Sequence, residues 1–175
     1  MAWRKTKKEF DRDKGEANRK SLQALVKGGR EPGLLAYADG EAVGWVAVAP
    51  REEYPRLGGS RILAPVDDRL VWSVSCLFVR KEWRRRGLSV QLLEAAAEHA
   101  FARGASIVEG YPVEVREGKL PDPFVWTGLL PAYLRAGYRE AARRSPTRPI
   151  VRKLRKTAGL PGRGGQRKGS RAPAV

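Results

Sequence analysis

Cysteine is almost missing from this chain. Cys76 stands alone among 175 residues, so no intramolecular disulfide can form, and the reading is of a protein for a reducing, cytoplasmic setting. Long apolar runs are missing too. No stretch of about 18 apolar residues occurs, which excludes an apolar membrane-spanning helix. The opening residues, MAWRKTKKEF, lack the apolar centre of a secretory signal. Two nucleotide-binding signatures are absent: there is no G-x-x-x-x-G-K-[S/T], and no G-x-G-x-x-G follows a strand-like segment. The glycine cluster at Gly162–Gly165 has no strand before it. No metal is implied.

Acidic residues are scarce relative to basic ones. Lys and Arg number 35 against 19 Asp and Glu, a formal net charge of +16. From Arg152 onward there are eight Lys/Arg and no acid, so half of the excess belongs to the end of the chain. Such a charge favours anionic partners such as nucleic acid, phosphorylated cofactors and acidic surfaces.

The apolar pattern predicts an α/β domain with a mixed sheet. Ala17, Leu22, Leu25 and Val26 recur at helical spacing before Gly28-Gly29, a helix over 15–28. Leu34–Ala38 and Ala42–Ala49 flank Asp39-Gly40 as a hairpin. A polar loop with room for one helical turn follows. LVWSVSCLFV (70–79) reads as a central strand buried on both faces. Ser89–Arg103 reads as a helix ending at Gly104, its apolar face Val90, Leu93, Ala97, Ala100 and Phe101. A strand over 105–113, a helix ending at Gly137 and strands over 138–144 and 148–154 complete the core. One domain is expected over 1–153, with helix 15–28 and core 34–153. The basic tail 154–175 is expected to be disordered.

Chemistry concentrates at VRKEWRRRGLS (79–89). Three arginines stand where a helix begins, although a helix N-terminus already disfavours cations. A strand running into a glycine turn and a helix is an anion cradle: backbone N–H groups converge and the helix dipole adds to them. Gly87 permits close approach, Ser89 can cap the helix or bond a ligand, and Arg84, Arg85 and Arg86 fit a bound phosphate or pyrophosphate.

This segment resembles the GCN5-related N-acetyltransferases, whose signature is [Q/R]-x-x-G-x-[G/A] after a strand ending V-x-P-x-[Y/F/W]. Here the residues are Val79-Arg-Lys-Glu-Trp83 and Arg84-Arg-Arg-Gly87-Leu-Ser89, with Lys81 and Ser89 departing from it. A late Y-x-x-x-G-[F/Y] is matched by Tyr133, Gly137 and Tyr138. The resemblance implies a mixed, mostly antiparallel twisted sheet flanked by helices, with a shortened N-terminal part. It implies an N-acetyltransferase (an acyltransferase) that moves the acetyl group of acetyl-CoA to an amine of a small molecule or protein, by direct attack in a ternary complex. Amides of Arg84, Arg85, Arg86, Gly87, Leu88 and Ser89 would hold the pyrophosphate. Backbone groups of Phe78 and Val79, where the strand splays from its neighbour, would hold the pantetheine arm. Tyr133 would protonate the leaving thiolate; its alternative is a tyrosine packed in the core. Histone-type relatives carry a glutamate at the position of Ser73. Glu109, interrupting an apolar strand, is the substitute base, and its alternative is a glutamate paired to an arginine.

Other residues carry plainer readings. His99 reads as a solvated or satisfied histidine, Cys76 as a core thiol, and Ser73 and Ser75 as backbone-bonded. Trp45, Trp72 and Trp126 read as core or acceptor-site wall, and Glu52 and Glu53 as solvated charges. Only about 33 residues precede Leu34, which predicts an open acceptor site and an exposed strand edge suited to a homodimer. The alternative function is a basic nucleic-acid- or ribosome-associated binding protein on the same scaffold with little or no turnover, using weak tail contacts to phosphates.

Overall fold

A computed structural model describes residues 1–116, 118 and 120–156 of the chain. The tail expected from 154 onward lies outside the described residues beyond Lys156.

The N-terminal part forms two helices, α1 (Lys7–Arg12) and α2 (Glu16–Lys27). Apolar spacing reveals α2 but not α1, which buries no residue. A capping signal marks α1 instead: Thr6 accepts from the Glu9 amide while the Glu9 carboxylate accepts from the Thr6 amide, a reciprocal capping box. No strand precedes β1 (Leu34–Ala38) among the described residues. The hairpin turns at Asp39-Gly40, both at positive φ, into β2 (Glu41–Pro50). Pro55–Gly58 forms the one-turn helix α3 in the loop to β3 (Trp72–Val79). Then come α4 (Leu88–Ala102), β4 (Ile107–Gly110), α5 (Leu130–Arg135), β5 (Arg139–Arg143) and β6 (Pro149–Leu154). The strand predicted over 105–113 is shorter than expected, stopping at Gly110. The helix predicted to end at Gly137 begins only at Leu130.

The six strands form one sheet in the order β1-β2-β3-β4-β6-β5. Only β3 and β4 run parallel; every other pair is antiparallel. The helix α4 lies on one face. Leu92, Leu93, Ala96, Ala97 and Ala100 are its buried residues, whereas Val90 and Phe101 are only partly buried. The buried face is thus turned slightly from the one predicted, and its three alanines let the axis sit close to Val46, Val74, Val108 and Val151. On the other face a smaller cluster gathers Ala49, Tyr54, Leu57, Leu63, Tyr111 and Ile150.

Two irregularities of β3 open the sheet. Ala47 pairs with Cys76 but Val48 with Val74, leaving Ser75 as the extra residue of a β-bulge. Bulges bend a strand and increase its twist. In addition, β3 pairs with β4 only through Trp72–Val74. From Ser75 to Val79 the strand runs on while β4 has ended, and a wedge forms between them.

Candidate functional site

The wedge leads to the glycine turn. After β3, Lys81–Trp83 makes a single 3-10 turn, Arg84 is extended, and Arg85 enters the left-handed region at φ 61°. Gly87 follows at φ 83° and caps α4 without a side chain. A non-glycine residue at such a φ costs energy and is retained mostly where function or capping needs it. A Cβ on Gly87 would meet nothing within 4 Å, so the turn faces open space rather than packed chain. The first amides of α4 have no acceptor within the helix. A turn combining left-handed residues with a helix N-terminus is the geometry of an anion nest.

The turn opens into a cleft of about 560 Å³. One wall is Cys76–Val79 with Arg84, Arg85, Gly87, Ser89 and Val90; the other is the 123–129 loop and α5. Arg84 and Arg85 line it, and Arg135 reaches in from α5, a cation that sequence reasoning missed. Arg84 also donates from Nε to the Val79 carbonyl at 3.1 Å. Arg86 stacks its guanidinium over Trp83, 5.4 Å from the ring centroid, and does not line the cleft. Leu88 begins α4 beneath the turn and is likewise outside the lining.

Along the strand, main-chain groups alternate between the two edges. Leu77 donates its amide to the Trp126 carbonyl at 2.8 Å, and the Val79 carbonyl faces Arg84. Leu77 and Val79 therefore turn their backbone towards the wedge, where the Leu77 amide and the Val79 carbonyl already have partners within the protein. Phe78 is paired opposite Trp45, its backbone turned towards β2, and it reaches the cleft through an exposed side chain.

A second cavity, of about 230 Å³, adjoins the first, and Cys76 and Trp126 line both. Met1–Arg4 and residues of α1 and α2 wall it on one side, with Trp45, Tyr54 and Ser75 on the other. The short N-terminal part thus walls this side of the sheet. Trp45 and Trp126 are walls here, while Trp72 instead meets His99 edge-on, with centroids 6.0 Å apart. Burial raises the pKa of the Cys76 thiol, so at neutral pH it stays protonated.

Glu109 and Tyr133 lie elsewhere. Glu109 is fully buried and lines neither cavity. Its Oε1 accepts from Arg51 at 3.0 Å and from the Tyr111 hydroxyl at 2.8 Å, and its Oε2 accepts from Arg152 Nε at 2.8 Å. Arg152 extends the cluster to Asp67, and Tyr111 extends it to Ser73. Tyr133 is also fully buried and outside both linings; its hydroxyl donates to the Thr127 carbonyl at 3.0 Å. Burial pushes this phenol well above its ordinary pKa. A Cβ on Gly110 would lie 2.2 Å from Tyr133 Cε1, so the ring fits only against a glycine.

Comparison with known proteins agrees with this geometry. No curated protein matches the chain significantly by sequence. The fold is similar to that of a GNAT-family acetyltransferase from Streptococcus agalactiae (TM-score 0.52, 14% identity, 84% of this chain and 79% of that one). It is also similar to a ribosomal-protein-alanine N-acetyltransferase from Brucella melitensis (TM-score 0.50, 16% identity, 79% and 77% covered). A third similar structure is the NatC complex bound to Gag peptide and CoA (TM-score 0.51, 11% identity, 78% and 79% covered). The family model "Acetyltransferase (GNAT) family" matches residues 2–115, from the N-terminal helices through the glycine turn to the end of β4 and just beyond. With a left-handed glycine turn at the head of α4 and a bulged, splayed central strand inside the matched span, the chain belongs to the GNAT acetyltransferase family.

Proposed function

We propose that the protein is an N-acetyltransferase that moves the acetyl group of acetyl-CoA to an amine by direct attack in a ternary complex. The observation that carries this reading is the Arg84–Ser89 turn, with Arg85 and Gly87 both left-handed, opening at the N-terminus of α4 into the wedge beside β3. The amides of Gly87, Leu88 and Ser89 would hold the pyrophosphate, with Arg84, Arg85 and Arg135 neutralising it. The main-chain edge of Leu77 and Val79 would run alongside the pantetheine arm. The neighbour bound to CoA in the NatC complex supports the same donor.

The thioester supplies an acetyl carbonyl: the C–N bond forms as the C–S bond breaks, and the proton shed by the nitrogen passes to the departing thiolate. The chain's own contribution is positional. It binds the donor, keeps the reacting corner at Cys76 dry enough to favour a neutral amine, and orients the two partners. Glu109 and Tyr133 take supporting roles in this proposal, because the contacts of their polar atoms are inside the protein.

CoA at a hundred times its dissociation constant is expected to stabilise the fold by about 2.7 kcal/mol in thermal unfolding. Acetyl-CoA with an amine panel is expected to release thiol. Absence of any stabilisation by CoA would refute the reading.

A further inference from the structure

The second cavity names the kind of amine, provided the donor lies as proposed above. It meets the first cleft at Cys76 and Trp126, beside the bulge at Ser75, so whatever fills it is adjacent to the wedge. Five aromatic residues line it: Trp3, Phe10, Trp45, Tyr54 and Trp126. Trp3 and Trp126 stack with their ring centroids 5.5 Å apart and their planes 25° apart. The polar side chains in the lining include Arg4, Tyr54, Ser75 and Cys76, and no carboxylate is among the described lining residues.

An aromatic cavity can recognise a cation through ring faces or a carboxylate. Here two of the five rings and the nearby acid are already committed. The Arg56 guanidinium lies over the Trp3 ring at 5.5 Å and that of Arg4 over the Tyr54 ring at 4.7 Å. Glu53, the acid behind this wall, is held by both Arg4 and Arg30. A polyamine, an aminoglycoside or a lysine-rich peptide would meet guanidinium groups and find no counter-charge. The formal charge of the whole chain, +16, adds long-range repulsion to the same effect. Size narrows the class further. A cavity of about 230 Å³ holds roughly eight water-sized groups at about 30 Å³ each, enough for one ring and a short arm.

We propose that the acceptor is a small primary monoamine carried on an aromatic or similarly flat apolar body, held against the Trp3–Trp126 stack with its nitrogen at the Ser75–Cys76 corner. The hydroxyls of Ser75 and Tyr54 accept the amine N–H there. Burial of the apolar body favours the neutral, nucleophilic amine, so no dedicated carboxylate base is needed. Trp3 is then a specificity-determining residue, supplied by the N-terminal segment.

The test uses the full chain with acetyl-CoA, following thiol release and the mass of the product for 2-phenylethylamine, spermidine and a lysine-rich peptide. Phenylethylamine is expected to show kcat/KM at least tenfold above either polycation. Trp3→Ala is expected to raise KM for phenylethylamine about tenfold without changing the affinity for CoA, and Trp3→Phe is expected to recover most of the loss. Phe10→Ala provides a second variant if Trp3→Ala unfolds, with the same outcome expected. Preference for a polycation, or an unchanged KM in these variants, overturns the proposal. Stabilisation by CoA without turnover of phenylethylamine overturns the acceptor assignment alone. No stabilisation by CoA removes the donor reading as well.

Discussion

Arg85 and Arg135 line the larger cleft from different elements, one from the strained turn and one from α5. A charge-assisted contact to phosphate in a partly exposed site is worth roughly tenfold in affinity, about 1.4 kcal/mol. Arg85→Ala and Arg135→Ala are each expected to weaken CoA binding by about that factor in calorimetry, with the loss shrinking as salt rises. Arg86→Ala, which removes a stack on Trp83, is expected to change it less than threefold. The sequence showed three arginines in a row but not that they diverge; a left-handed residue among them sends each a different way. His99 offers a second test at this scale. Burial, with Arg103 beside it, holds its imidazole below the ordinary range. The unfolded chain therefore binds a proton in a window where the folded chain does not, and stability falls as pH drops through about 6.5. Melting curves from pH 7.5 to 5.5 are expected to show that fall, and His99→Gln to flatten it, with a slope of at most about 1.4 kcal/mol per pH unit.

At the scale of elements, β4 and α5 fit by a glycine. Tyr133 occupies the space a Cβ at Gly110 would need, and its hydroxyl is fastened to Thr127. Gly110→Ala is expected to cost about 2–3 kcal/mol through overpacking. Tyr133→Phe removes one buried hydrogen bond, expected to cost about 1–2 kcal/mol, and should leave turnover within about threefold. A tyrosine acting as the thiolate's proton donor would instead show a loss of about a hundredfold or more, so the variant separates the two roles. The order of elements was legible from periodicity because the core strands and α4 are long and strongly patterned. The shortness of β4 and the late start of α5 were not. Both follow from the 123–129 loop, whose carbonyl at Trp126 takes the Leu77 amide that a longer β4 would have used. No local propensity encodes that exchange. Glu109 was legible as an oddity within an apolar strand. Its partners were not, because Arg51 and Arg152 are 58 and 43 positions away in the sequence.

At the scale of the whole molecule, the Glu109 cluster ties distant parts together. Ser73, Glu109 and Arg152 form a cross-strand row on β3, β4 and β6. Arg51 and Asp67 attach the loop between β2 and β3 to that row, and Arg51 also donates to the Leu63 carbonyl at 2.6 Å. Removing one member of a buried charge cluster leaves its partners uncompensated. Glu109→Gln is expected to lower stability by about 3 kcal/mol, a fall of roughly 6–12 °C in Tm for a domain of this size. Any CoA affinity measured below that temperature should be unaltered. In the function proposed above, the basic turn binds and the N-terminal aromatics select, while the buried ions brace the sheet; the first role was legible in the sequence, whereas the other two depend on contacts between distant residues.

The peptide carbonyl at Trp126 has one more effect. A strand that outruns its neighbour leaves bare amides in mid-sheet, a template on which a stray polypeptide can zip. By docking a carbonyl from the later loop onto Leu77, the chain notches its own sheet without leaving that amide bare for a foreign strand. The gap thus presents no bare amide at Leu77 on which a β-ribbon could pair.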